Sequence, residues 1–100
     1  MSTKATIASG ITGAVSPDTY KFTVVTPANF LAVCVDGMNT TDKLRLLRRD
    51  AGGTAWAPYT DGTSAVVISP INTHVIPTKP GEYGLSGSVS GTITIFTEAI

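Results

Sequence analysis

The chain has 100 residues, of which 42% are hydrophobic and 14% charged; seven basic residues balance seven acidic ones, for a formal net charge of zero. This length bounds it to one domain that buries roughly two-thirds of the surface its unfolded form exposes, so one small core is available and apolar side chains beyond it become interface. A charged fraction far below the roughly 25% of an average soluble protein excludes the basic excess of a nucleic-acid reader and describes a hydroxyl-rich surface that tends to self-associate.

Residues 1–19 contain no aromatic residue and no Leu, and read as an extended N-terminal arm with short strands near "ATIA" and "ITGAV". They also lack the basic start and unbroken apolar run of a secretory leader, and no segment approaches the 18 or so apolar residues of a membrane helix, so synthesis in a cytoplasm is expected. "SPD" marks a turn, and residues 20–100 form the folded domain. In "YKFTVVT", Tyr20, Phe22 and Val24 alternate with Lys21 and Thr23, the period of a half-buried strand. "FLAVCVD" places Leu31, Val33 and Val35 on one face, and "DGMNTTD" is a loop.

"KLRLLRRDAGGTAW", residues 43–56, supports two readings. A helix from Asp42 to Asp50 has a Thr N-cap, a Gly C-cap, and Arg48 and Arg49 near its C-terminus, where the dipole favours them. A hairpin instead runs Lys43–Arg49 as a strand with Leu44 and Leu46 inward, turns at "DAGG" and returns from Thr54 to Trp56. In that reading Leu47 breaks the alternation and needs a bulge or an interface contact. The strand-like neighbours favour the hairpin. Further on, "DGTSAVVIS" and "PINTHVIP" are a turn and short strands. Pro80-Gly81 suits the centre of a type II turn, Tyr83 and Leu85 share a face, Gly87 and Gly91 flank a last turn, and "TITIF" points Ile93 and Ile95 inward. Eight to ten short strands at this spacing make an all-β chain, a small antiparallel β-sandwich or jelly-roll-like barrel.

Residues suited to chemistry are sparse. Cys34 stands alone in an apolar run and reads as a small buried hydrophobe. His74 is the lone histidine, so a metal site of ordinary type is not expected; a small hydrolase would need a cleft around it. The acidic residues Asp18, Asp36, Asp42, Asp50, Asp61, Glu82 and Glu98 are mostly turn aspartates beside Gly, Thr or Pro, and no pair is singled out for acid–base work. No catalytic residue, metal or cofactor is therefore expected. Lys43, Arg45, Arg48 and Arg49 hold four of the seven positive charges and read either as a solvated strand face or as a surface docking onto an acidic partner, protein ranking ahead of nucleic acid because the chain lacks a basic excess and aromatics set for stacking. Trp56 beside Pro58 reads as core or interface packing, and with Tyr59 it offers an aromatic sugar platform as the rival reading.

"RDAGGTAWAP" partly resembles the Asp-box hairpin of sialidase-type propellers: Asp50, Gly52 and Thr54 fit, while Trp56 comes one residue late. That device is structural and supports a turn, not sugar chemistry. More broadly, "LRLLRRDAGGTAW" followed by "DGTSAVVI", the closing "KPGEYGLSGSVSGTITIF" and the small, Thr/Ala-rich arm resemble the small β-sandwich structural proteins of tailed bacteriophages, capsid decoration or cement proteins and neck or tail accessory subunits. The resemblance implies a non-enzymatic virion protein, made in the host bacterial cytoplasm, that sits on the capsid as a dimer or trimer and bridges major capsid protein subunits, with no nucleic acid and no membrane as partner. The residues expected at its interfaces are the arm, with Lys4, Ile7 and Ile11, together with Arg45, Arg48, Arg49 and Trp56. The alternatives are a neck or tail accessory subunit, and a carbohydrate- or receptor-binding module using Trp56, Tyr59 and loop aspartates.

Overall fold

The structure is a computed structural model that describes residues 4–24, 31–50, 52–61, 64–77 and 79–99. The described residues are all-β, with ten strands and no helix: β1 Lys4–Val15, β2 Lys21–Val24, β3 Leu31–Asp36, β4 Lys43–Arg49, β5 Ala57–Pro58, β6 Thr60–Asp61, β7 Ser64–Ala65, β8 Val67–Ile68, β9 His74–Val75 and β10 Gly81–Ala99. Eight of them join one antiparallel sheet that curls into a half-barrel, and β6 and β7 form a separate two-stranded ribbon.

The 19-residue β10 is the spine of the sheet. Along one edge it pairs first with β2, Gly81 opposite Val24, and then with β1, as far as Lys4 opposite Glu98. Along the other edge it pairs with β4 over Glu82–Ser88 and with β3 over Thr94–Ala99. The outer flanks are short: β5 and β8 on β4, and β9 on β3. Among the described strands, β1, β2, β3 and β4 make no ladder with one another.

Period-2 alternation builds the core from this arrangement. Odd-numbered residues of β10 face inward, and Tyr83, Leu85, Val89, Ile93 and Ile95 meet Ile11, Val15, Val24, Val33, Val35, Leu44, Leu46 and Ile68. A second, small apolar cluster lies on the outer face, where Ala32, Cys34 and Phe96 bury one another. The β3 strand is therefore apolar on both sides, which explains the unbroken run "LAVCV".

The stretch read as an arm with one or two short strands forms the single 12-residue strand β1, which pairs with β10. Its ladder with β10 slips register between Thr6 and Ala8, between Ala8 and Ile11, and between Ile11 and Gly13. Gly10 and Gly13 have φ of 70° and 86°, a left-handed backbone that suits glycine at such bulges.

Residues 43–49 are a strand, with Leu44 and Leu46 buried and Lys43 and Arg45 exposed. The Gly53 amide donates to the Asp50 carbonyl at 2.8 Å and closes the turn, and Gly52 has φ 82°. The return strand starts at Ala57, later than the spacing implied. Leu47 needs no bulge, because the β4–β10 register runs unbroken; Leu47 lies on the outer face between Gly84 and Pro58, half-buried.

Two expected turns do not exist. Gly81 opens β10 directly, and Gly87 and Gly91 lie inside it. These glycines serve close approach of neighbouring chain rather than reversal: a Cβ on Gly91 would lie 2.3 Å from the Gly37 carbonyl oxygen, and one on Gly81 2.8 Å from that of Arg49.

Candidate functional site

The four basic residues of β4 divide between its two faces. Lys43, Arg45 and Arg49 point outward and Arg48 inward, as period 2 demands. Arg48 reaches the segment before β10, where its Nε donates to the Pro80 carbonyl at 2.9 Å and its Nη2 donates to Asp50 Oδ1 at 3.1 Å. It thereby ties the β4–β5 turn to the start of β10.

Arg49 is held in a clasp. Its guanidinium lies 4.2 Å from the centroid of the Trp56 ring, its Nε donates to Glu82 Oε1 at 3.2 Å, and Asp18 Oδ1 lies 3.7 Å from its Nη1. The Trp56 indole N–H donates to the same Asp18 oxygen at 2.9 Å. The clasp joins the β1–β2 turn, the end of β4, the approach to β5 and β10. Glu82 is the stronger anionic partner, since its carboxylate is largely buried while Asp18 is open to screening by water. A cation over an indole adds about 0.5–1 kcal/mol at a site with some exposure.

Trp56 and Tyr59, candidates for a shared sugar platform, are drawn to different partners. Tyr59 packs edge-on to Tyr83 with ring centroids 5.3 Å apart, and Phe22 stacks on Tyr83 at 5.5 Å. The Tyr83 hydroxyl donates to the Lys79 carbonyl at 2.5 Å, and burial is the main reason its pKa is pushed up to about 12.

The remaining expected interface residues differ in exposure. Lys4 is exposed and its ammonium sits 4.1 Å from the Phe96 ring centroid. Ile7 is half-buried against the core and Ile11 belongs to it. Arg45 is exposed and, with Lys43, borders a shallow groove of about 440 Å³ over Val67, Ser86 and Gly87. No described carboxylate pairs with either of these two cations.

Cys34 is buried, and desolvation first, then the charges of Glu98 and Asp36, raise its thiol pKa against a lowering by Lys4. His74 stands opposite it on β9, exposed. Among the described residues no group of three His, Cys, Asp or Glu side chains is placed to hold a metal.

Among the described residues, the side chain with the most hydrogen bonds is one that sequence reasoning passed over as a turn aspartate. Asp42 is 5% exposed. Its Oδ1 accepts from the Ser90 amide and hydroxyl, both at 2.9 Å, and its Oδ2 accepts from the amides of Asn39 at 2.9 Å and Gly91 at 3.0 Å. The Ser90 amide is the largest cause, and those of Asn39 and Gly91 and the Ser90 hydroxyl add to it, in lowering the carboxyl to about 2 against an ordinary 3.8. Asp42 thus pins the β3–β4 loop onto β10 between the segments that β4 and β3 occupy. The local signal was "NTTD", where the Asp42 amide also returns to the Asn39 carbonyl at 3.0 Å; the long-range partners left no trace in the sequence.

No family model matches the chain, and no curated protein or solved structure matches it.

Proposed function

We propose that this chain is a non-enzymatic structural protein of a tailed bacteriophage virion that decorates the capsid and bridges neighbouring capsid subunits as a dimer or trimer. The observation that carries this reading is the construction of the sheet: one strand of 19 residues takes four others along its two edges. Around it, the Asp42 pin holds the β3–β4 loop to the middle of β10, and the Arg48 tie and the Arg49–Trp56 clasp hold the end of β4 to the start of β10. Such cross-tying suits a body that transmits load between neighbours. In this reading the curled sheet is the body that the phage proteins build as a sandwich or jelly roll. The outward residues of β1, Lys4 among them, supply the contacts expected of an arm. Lys43 and Arg45 supply the docking charge, because Arg48 and Arg49 are already engaged within the fold. An acidic surface on the major capsid protein is the complement.

The test is co-sedimentation of the purified protein with capsids of the phage that encodes it. Wild type is expected to pellet with the capsids. The double variant Lys43→Glu, Arg45→Glu should bind at least about tenfold more weakly while keeping its circular dichroism spectrum. A wild-type protein that stays in the supernatant overturns the proposal.

A further inference from the structure

The strands β8 and β9 flank β4 and β3 and are joined by a tight turn. In that turn Ser69 and Asn72 exchange both backbone hydrogen bonds, at 3.2 and 2.9 Å. In an antiparallel hairpin the next residues to exchange bonds lie two along on each arm, here Val67 and His74. That pair does not form. No ladder joins β8 to β9 among the described strands, and the Val67 carbonyl instead accepts from the Asn72 side-chain amide at 2.9 Å. The hairpin splits as soon as it leaves its turn.

The ladders behind the two arms fix where their peptide groups point. The Leu46 amide donates to the Val66 carbonyl at 3.1 Å, and the Val35 amide to the Thr73 carbonyl at 3.0 Å. Bonded and unbonded pairs alternate along an antiparallel ladder. Val67 opposite Arg45 and His74 opposite Cys34 are therefore unbonded pairs, and both residues turn N–H and C=O away from β4 and β3. Both line a groove of about 530 Å³, with Val66 and Val67 on one wall, Val75 and Ile76 beside His74 on the other, and Asn72 at its closed end. Its lining mixes polar and apolar side chains, and none of the described ones is Asp, Glu, Lys or Arg. On the core side, Val66 and Val75 pack on the core and stay partly exposed.

We propose that this groove binds an extended, uncharged polypeptide segment of a partner protein, which enters between β8 and β9 as an added strand and hydrogen-bonds to Val67 on one edge and to His74 on the other. A strand carries peptide groups along both of its edges, and that is the complement of two facing edges whose own groups point into the gap. Alternation turns one inserted side chain inward over Val66 and Val75, where an aliphatic residue covers what the core leaves exposed. Its neighbours point outward beside Val67 and His74. A charged side chain at the inward position is disfavoured, because the groove offers no described counter-charge to offset its desolvation. The inference does not rest on the proposed function and holds whatever Lys43 and Arg45 dock onto.

The test is amide-resolved NMR of the free protein, then titration with a panel of capped pentapeptides that alternate Thr with Val, Ile, Leu or Phe. In the free protein the Val67 and His74 amides should exchange with solvent faster than those of Ile68 and Val75, which their ladders bond. At least one peptide should shift and protect the Val67 and His74 amides together. That peptide should bind at least about tenfold more weakly when N-methylated at either set of alternate nitrogens, since each set serves one edge, or when Glu replaces its aliphatic residues. Val67→Pro and His74→Pro each remove one groove-facing N–H at an edge position that proline tolerates, and should weaken binding by a similar factor with the circular dichroism spectrum kept. The methylated peptides make the same test without altering the protein. Slow exchange of both amides in the free protein, a panel that leaves them unshifted, sensitivity to only one set of methyl groups, or equal binding of the Glu peptide overturns the proposal. Peptide binding here without capsid binding removes the virion reading and leaves this one standing.

Discussion

Asp42 links one side chain's hydrogen bonds to the pH dependence of the fold's stability. Its carboxylate accepts four hydrogen bonds at the crossing of the β3–β4 loop and β10, and its folded pKa is lowered to about 2 from 3.8. A depressed folded pKa contributes stability that is complete above the unfolded value and lost as pH falls through the folded one. The wild-type urea midpoint should therefore decline between about pH 3.8 and about pH 2 in part through this residue. In Asp42→Asn the amide must turn at least one N–H toward backbone N–H donors. The variant should be less stable at neutral pH and should lack this component of the acid decline. Chemical denaturation at neutral pH and at about pH 2 measures both effects; equal pH dependence in the two proteins would count against the assignment.

At the level of elements, β10 shows which sequence signals were legible and which were not. Alternation identified its inward residues Tyr83, Leu85, Ile93 and Ile95, whereas "KLRLLRR" fitted a helix as well as a strand, and its strand-like neighbours favoured the strand that the structure shows, with Leu44 and Leu46 inward. What alternation does not encode is strand length. Gly87 and Gly91 carry the composition of a turn, and only the backbone packed against them shows that they serve contact with neighbouring segments inside a continuous strand. The Arg49–Trp56 clasp was equally hidden, since its members come from positions 18, 49, 56 and 82. A direct check is Gly91→Ala, whose methyl would be driven into the Gly37 carbonyl. The loop must shift or β10 must bend, at an expected loss of about 1–3 kcal/mol. Thermal unfolding reads that loss; an unchanged melting temperature would mean the loop yields freely.

For the molecule as a whole, the ladder is hierarchical. β1, β2, β3 and β4 make no ladder with one another among the described residues, and β10 joins them all. Native pairings therefore link distant parts of the chain, as in Lys4 opposite Glu98, which predicts slow folding for the chain's size. A chain ending at Lys79 keeps the short ladders on β3 and β4 and loses the spine. It should show no cooperative unfolding transition by circular dichroism, and a sharp transition in that truncation would mean the other strands hold together without β10. The same ordering governs synthesis. While the ribosome is still translating the region before Gly81, the emerged polypeptide carries four strands whose amides and carbonyls await a common partner. That interval, rather than the finished molecule, is when chaperone capture and co-aggregation with neighbouring nascent chains bear on yield.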